Sequence, residues 1–390
     1  MDKQKIRVLY VIGDLDSGGA EHHLVKITPI LENRNIQPSF YTISHKGKLA
    51  GKLEDQGIKI YEPVMCRYIY LLPRLLRKII LFPASFMTLW VLVLYSRPDV
   101  VHFFLPQAYL LGGFCSLLTP GTKRIMSRRC LNVYQQNHPV MKCMELFLHK
   151  YMDMIFGNSK AVLSQLREEK VPESKLRLIY NGVELPPLHD NKKTSQFRKS
   201  LNIDDDDLVF IIVSNLIPYK GHADLLNAFE LIKDKLGKKW KLLCVGRDDG
   251  IGQVLRRQAE TLNLSDHVYW LGERDDVGLL LAASNIYISA SHQEGFSNSI
   301  IEAMATGLPI IATNVGGNPE AVVHNLNGVI VEPEQPESMS REILLLSADE
   351  SLRKQMGEQS RKRAEELFSM EGCINRYTDY YRELFDQKTV

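Results

Sequence analysis

Two glutamates, Glu294 and Glu302, stand eight positions apart in the run EGFSNSIIEAMATGLP. They flank a polar turn that leads from an apolar strand-like stretch, 285–290, into a helix. Gly295, Ser297, Asn298 and Ser299 supply the caps and backbone donors that open a helix. Such a terminus carries unpaired N–H groups and about half an elementary charge, so it attracts phosphate. Glu294, just before the turn, would project toward whatever that phosphate carries, while Glu302 lies about one turn inside the helix. Ser299 with Glu302 also fits the capping box S-x-x-E, which needs no ligand. That reading leaves Glu294 and the turn GFSNS without a role.

A cation suited to the same phosphate is Lys220, in SNLIPYKG, between a strand and a helix beginning about Gly221. A lysine there reaches phosphate as a mobile point charge; its other reading is an exposed loop lysine. Near the start of the chain a β-branched run, 6–12, is followed by GDLDSGG and then by a helix from Ala20 to about Asn33. Glycines in a strand-turn-helix connection let backbone N–H groups approach a phosphate or sugar closely. The spacing G-x-G-x-x-G is absent, so no dinucleotide fingerprint is assigned. Asp14 and Asp16 form D-x-D, read as turn residues rather than metal ligands. No His, Asp and Glu set shows ligand spacing, and no metal site is expected.

The elements that position these residues follow from hydrophobic pattern. Strands are expected at 6–12, 38–43, 58–61, 100–104, 124–127 and 154–157, and again at 208–213, 240–245, 268–271, 286–289, 310–312 and 329–331. Intervening helices make each half an α/β, doubly wound sheet. Ligands in such sheets sit at the carboxyl ends of the strands, which puts His102, Arg128 and Arg129 near a site edge. At 390 residues the chain suits two domains, and the stretch IYNGVELPPLHDNKKTSQ, with paired prolines and an Asn-Gly turn, reads as their linker. The expected division is 1–185, 186–369 and a C-terminal helix, 370–390.

A net charge of only +2 gives no argument for nucleic acid. Six scattered cysteines without C-x-x-C point to free thiols in a reducing, cytoplasmic setting. The N-terminus reads as a first strand rather than a signal peptide. The longest uncharged run, 79–95, is at the lower limit for a membrane span and is interrupted by Pro83, so a buried or interfacial helix is expected. Between Arg67 and Arg97, basic residues (Arg67, Arg74, Arg77, Lys78) mix with aromatic and aliphatic ones. That composition suits either a helix at an anionic membrane surface or a solvated basic edge over a packed helix.

The run EGFSNSIIEAMATGLPIIATNVGGNPEAV, with GGAE at positions 18–21, resembles the E-x7-E signature of the retaining glycosyltransferases of family 4. The resemblance covers nearly the whole chain and implies the GT-B fold, two Rossmann-like domains facing a cleft. It implies that Glu294 faces the donor sugar and that Glu302 accepts hydrogen bonds from the ribose. Backbone N–H groups of Phe296, Ser297 and Asn298 would bind phosphate, Lys220 would neutralise the diphosphate, and Gly18 and Gly19 would approach it from the other domain. The donor base would lie near Trp270–Arg274, and the last helix would pack on the first domain. Two positions depart from the family. Asn215 stands where an arginine is usual, and Arg129 where a histidine often contacts the donor sugar; Arg129 either restores the lost charge or is an ion-pairing surface residue.

The activity so implied is metal-independent hexosyl transfer, with retention, from a nucleotide-sugar, UDP-sugar favoured, to a lipid-linked or polysaccharide acceptor in cell-envelope glycan synthesis. No cofactor is expected beyond the nucleotide-sugar substrate, and the expected location is the cytoplasm, peripherally on the inner face of the membrane. A nucleotide-sugar epimerase of the same architecture and a non-catalytic sugar-nucleotide binding protein are the competing readings. The first lacks a matching acid/base cluster in the N-terminal half; the second draws on the two departures.

Overall fold

The computed structural model describes residues 5–16, 18–63, 74–187, 191–237 and 239–389. The chain divides into two compact units, one formed by 1–182 with 370–390 and the other by 183–369. The break falls after Gly182 because Val183 already pairs with the second unit: its N–H donates to Phe368 O at 2.8 Å, and it bridges Ser369 in parallel.

Unit 1 holds a parallel sheet of seven strands: β1 (Ile6–Ile12), β2 (Ile36–Thr42), β3 (Lys59–Tyr61), β4 (Val100–Phe104), β5 (Lys123–Arg128), β6 (Met154–Gly157) and β7 (Leu176–Leu178), in the order β3-β2-β1-β4-β5-β6-β7. β1 and β4 are buried nearly throughout, as strands covered by helices on both faces must be. The three-residue β7 carries Arg177 at its centre and gives no hydrophobic run, which is why pattern does not reveal it. On one face pack α1 (Gly19–Glu32) and the C-terminal helix Met370–Thr389, whose Tyr377 and Tyr381 are fully buried against β1 and β4.

α2 (Arg74–Ser96) lies on the other face and continues through Pro83 without a break. The position of Arg67, and the side chains of Arg74, Arg77 and Lys78, lie outside the described residues. Among the described residues no helix is long and apolar enough to cross a membrane. α3 (Pro106–Leu117) and α4 (Pro139–His149) pack on this face too, as does the helix Lys160–Glu168 through Val162, Leu163 and Leu166.

Unit 2 holds six parallel strands, β8 (Leu208–Val213), β9 (Trp240–Val245), β10 (Val268–Gly272), β11 (Ile286–Ser289), β12 (Ile310–Thr313) and β13 (Gly328–Val331), in the order β10-β9-β8-β11-β12-β13. In both units the order reverses beside the first strand, between β1 and β4 and between β8 and β11. At such a switch point the connections leave in opposite directions and open a crevice at the carboxyl ends.

Candidate active site

The switch point of unit 2 gathers the residues that could handle a phosphate. β8 and β11 are hydrogen-bonded neighbours, Ile286 opposite Phe210 and Tyr287 opposite Ile211, so the loops after them emerge side by side. The first carries Lys220 at the end of a short 3-10 turn, Pro218–Lys220, and passes through Gly221 into α5 (His222–Glu230). α5 thus begins one residue later than its sequence indicates, because Gly221 is its N-cap in the left-handed region, φ 70°. A Cβ there would also stand 1.9 Å from Ala290 O, so only glycine lets the two loops come this close.

The second loop carries Glu294 and enters α6 (Asn298–Ala305). Ser297 is its N-cap, the Oγ accepting from Ile300 N–H at 3.4 Å. The capping-box reading of Ser299 with Glu302 therefore fails: Ser299 lies inside the first turn, where its Oγ accepts from the Tyr287 hydroxyl at 2.8 Å. Phe296 turns its ring into the core beside Phe368, centroids 5.3 Å apart, leaving its backbone to face the turn. Glu302 is half-buried one turn along α6.

The two loops meet in a Lys220–Glu294 ion pair, Nζ to Oε1 2.5 Å, with side-chain exposures of only 19% and 12%. Ser291 Oγ donates to the same carboxylate oxygen at 3.0 Å. An ammonium has three donors and this bond uses one, so the pair can take a phosphate oxygen without being taken apart. From the third side comes the NVGGNPE loop. Gly317 N–H donates to Gly295 O, and Gly316, at φ 51°, approaches so closely that a Cβ would lie 1.7 Å from Glu294 O. Sequence reasoning included this loop in the family run but gave it no part; its paired glycines were the available signal.

Asn215 does not stand idle where a cation was expected. Its Nδ2 donates to Asp249 at 3.1 Å and its Oδ1 accepts from Arg247 N–H at 3.2 Å, tying the β8 and β9 loops together. His222, at the first position of α5, is held down to about 4 by burial and then by the Lys220 charge, and so stays neutral beside it.

In unit 1, Gly18 caps α1 with extended backbone and Gly19 is its first residue, both following β1 at the switch point. A Cβ on Gly18 would lie 2.2 Å from the Glu21 carboxylate, so a larger residue there would have to turn that side chain aside. Asp14 and Asp16 serve the turn: Asp14 accepts from Asp16 N–H at 3.2 Å and Asp16 from Lys48 N–H at 3.0 Å. His45, which spacing could not place, joins them with Nε2 at 3.0 Å from Asp16, so two carboxylates and an imidazole lie together, half-buried.

Arg129 is half-buried, with Nη1 3.5 Å from the Tyr377 hydroxyl. It lines a small pocket at the ends of β4 and β5, with Leu105, Tyr109, Ser127, Tyr134 and Glu145 among its walls. His102 is not at a site edge: it is fully buried, its ring nitrogens bonded to Tyr381 and Ser127 at 2.8 and 2.7 Å. Burial, and then the Arg129 charge, hold it well below the ordinary histidine range, so it acts as a neutral core hydrogen-bonding group.

Arg128 is likewise interior, donating to Glu169 at 2.7 Å and to Glu145 at 3.3 Å beneath the pocket. Burial, and then the Glu169 charge, push the Glu145 carboxyl up to about 7 against the pull of Arg128. Burial acts upward on Glu169 too, but the His149 hydrogen bond and Arg128 outweigh it and hold that carboxyl down at about 2. Leu105, at the rim, adopts φ 70°, ψ 156°, a conformation nearly reserved for glycine, which marks a strained turn into α3.

Two Rossmann-like units, with a buried Lys–Glu pair at the second switch point beside a helix N-terminus, define a GT-B glycosyltransferase. Residues 17–185 match the family described as Glycosyltransferase Family 4, and residues 193–363 match Glycosyl transferases group 1. The chain belongs to the glycosyltransferases of family 4.

The N-acetyl-alpha-D-glucosaminyl L-malate synthase of Bacillus anthracis is 30% identical over 60% of this chain and 61% of its own length, so the match spans about three fifths of that enzyme. The UDP-Gal:alpha-D-GlcNAc-diphosphoundecaprenol alpha-1,3-galactosyltransferase of Escherichia coli is 23% identical over 88% of both chains. The crystal structure of Anabaena Alr3699/HepE in complex with UDP has the same fold, with a TM-score of 0.82 at 20% identity over 97% of this chain and 100% of that one.

Proposed function

We propose that the protein moves a hexosyl group from a UDP-sugar to a lipid-linked or polysaccharide acceptor in cell-envelope glycan synthesis, with retention at the anomeric carbon and without a metal ion. The observation that carries this reading is the Lys220–Glu294 pair, 2.5 Å apart and mostly buried, beside the start of α6. A departing diphosphate accumulates negative charge, and a preorganised ammonium with a helix terminus stabilises it where water is scarce. Glu294, held by Lys220 and Ser291, is then aimed at the sugar, and Glu302 at the ribose. Relatives named for a UDP-Gal donor and a diphosphoundecaprenol acceptor support the substrate classes. The pocket beside Arg129, with aromatic walls and buried hydrogen-bonding groups, suits a hydroxyl-bearing acceptor.

Incubation with UDP-, GDP- and ADP-sugars, with and without a membrane lipid extract and with EDTA, tests the reading. UDP release that depends on acceptor and survives EDTA is expected, with a product whose anomeric configuration by NMR matches the donor. Consumption of no donor under any condition overturns it, and isomerised donor without nucleotide release assigns an epimerase instead.

Peripheral membrane contact belongs to the same proposal. α2 leaves Phe82, Met87, Val91, Leu94 and Tyr95 exposed, Tyr95 to 89%, and four of these, at 87, 91, 94 and 95, share one helical face. Flotation with anionic vesicles should be lost on Val91→Asp with Leu94→Asp, and an unchanged distribution refutes the contact.

A further inference from the structure

The loops that bring Lys220 and Glu294 together are joined by a third residue, His292. It lies two positions before Glu294, in the stretch SHQEG, and its side chain is one quarter exposed. Its backbone N–H donates to Tyr219 O at 2.7 Å, the residue adjacent to Lys220. Its ring reaches in two further directions: Nε2 donates to Asp224 Oδ2 at 2.6 Å, and Nδ1 faces Glu334 Oε1 at 3.4 Å. Asp224 sits in the first turn of α5, the helix that Lys220 precedes. Glu334 follows β13 on the far side of the sheet from β8.

One imidazole thus ties the Glu294 loop to the start of α5, with the Glu334 carboxylate nearby. Glu294 is otherwise placed by backbone contacts, by the Ser291 hydroxyl within its own loop and by Lys220 itself, and a cation that must turn to a diphosphate is a poor anchor for the group it serves. The tether supplies an anchor that no substrate contact displaces, since neither of its two hydrogen bonds uses Lys220 or Glu294.

We propose that His292 is a positioning residue, which sets the separation of Lys220 and Glu294 and so the grip on the diphosphate of a nucleotide-sugar. The proposal rests on the transferase reading of the same site. Loosening a charge that acts on a departing group lowers turnover more than it weakens ground-state binding. A displacement near 1 Å costs up to about a hundredfold in rate.

The test uses the full chain with His292→Ala, His292→Gln and Asp224→Asn, and two measurements. The first is kcat and KM for the donor. His292→Ala should lower kcat about ten- to a hundredfold with a smaller change in donor KM, His292→Gln, which keeps a donor for Asp224, should recover part of it, and Asp224→Asn added to His292→Ala should have little further effect. The second is acylation of Lys220 by an amine-reactive ester, read by mass spectrometry without any turnover. Lys220 should label several-fold faster once the tether is cut.

Parent values of kcat and of Lys220 labelling in both His292→Ala and Asp224→Asn overturn the proposal while leaving the transferase reading intact. A parent without turnover overturns the transferase reading, and the labelling result still decides whether the tether holds the pair.

Discussion

Each unit buries a cation against carboxylate, but in opposite manners. In unit 2, Lys220 meets a single carboxylate, and both side chains keep a small opening to solvent, 19% and 12%. In unit 1, Arg128 is 5% exposed and lies between Glu145 and Glu169, and these are bonded in turn by Tyr134, Gln135, Asn132 and His149. A flexible ammonium with donors to spare can pass part of its charge to an incoming phosphate. A planar guanidinium whose partners are themselves held by other donors cannot, and it serves to fix a pocket floor. The unit 2 cation keeps donors to spare; the unit 1 cation is fixed by a closed network.

The sharpest way to break this contrast is to remove each cation. Arg128→Ala leaves two carboxylates buried around a vacancy and should cost about 3–5 kcal/mol of stability, seen as a fall in the unfolding midpoint. Because Glu145 can take up a proton near neutrality, the low end of that range is expected. Lys220→Ala should instead lower kcat by about 10²–10³, the loss typical of one electrostatic donor at a developing charge, with a much smaller shift in the unfolding midpoint. If Lys220→Ala unfolds the protein while Arg128→Ala only slows it, the assignment of roles is reversed.

A third measurement separates the units by the sign of their pH response. The Glu145 carboxyl rises from 4.5 to about 7 in the folded state, so its contribution to stability is full below about pH 4.5 and lost as pH rises through 7. Glu145→Gln lacks this slope, and its stability relative to the parent should rise by roughly 3 kcal/mol between pH 4.5 and pH 8. His222 in unit 2 falls from 6.5 to about 4, so its contribution is present above about pH 6.5 and lost as pH drops toward 4. Urea titrations of Glu145→Gln and His222→Gln against the parent should therefore give slopes of opposite sign. Parallel slopes would mean that neither burial governs its group.

The same contrast explains what could be read from residues alone. The unit 2 site is built from short stretches in which chemistry and local structure coincide: Lys220 beside a glycine, and Glu294 before a cap and a helix. Strand ends set by apolar runs, such as Val100–Phe104, Leu208–Val213 and Trp240–Val245, were legible for the same reason. The unit 1 pocket was not. Glu145 and His149 lie within a helix of ordinary amphipathic pattern and Glu169 just past the end of another, and nothing local reveals that they converge on Arg128. His102 looked like a site residue because it belongs to a strand whose carboxyl end was expected to border a site, yet it stands at the middle of that strand and its partner Tyr381 arrives from 279 positions away. The turn role of Asp14 and Asp16 was legible, whereas His45 reaches them only through the pairing of β1 with β2.

Arg129 tests where the contrast stops, since it belongs to the first unit but was assigned to the donor. It is half-buried, reaches Tyr377 at 3.5 Å, and lines the pocket beside Arg128, so a lightly held cation stands in the setting of the shape-forming network. A charge-assisted hydrogen bond lost from a half-open position is worth about 1.4 kcal/mol, or tenfold. If Arg129 serves the donor diphosphate, Arg129→Ala should lower kcat about tenfold and weaken UDP binding by calorimetry. If it serves the pocket, acceptor KM should rise by a similar factor while UDP affinity stays at the parent value. The first outcome assigns Arg129 to the donor, as a cation in place of the one missing at Asn215; the second assigns it to the unit 1 pocket.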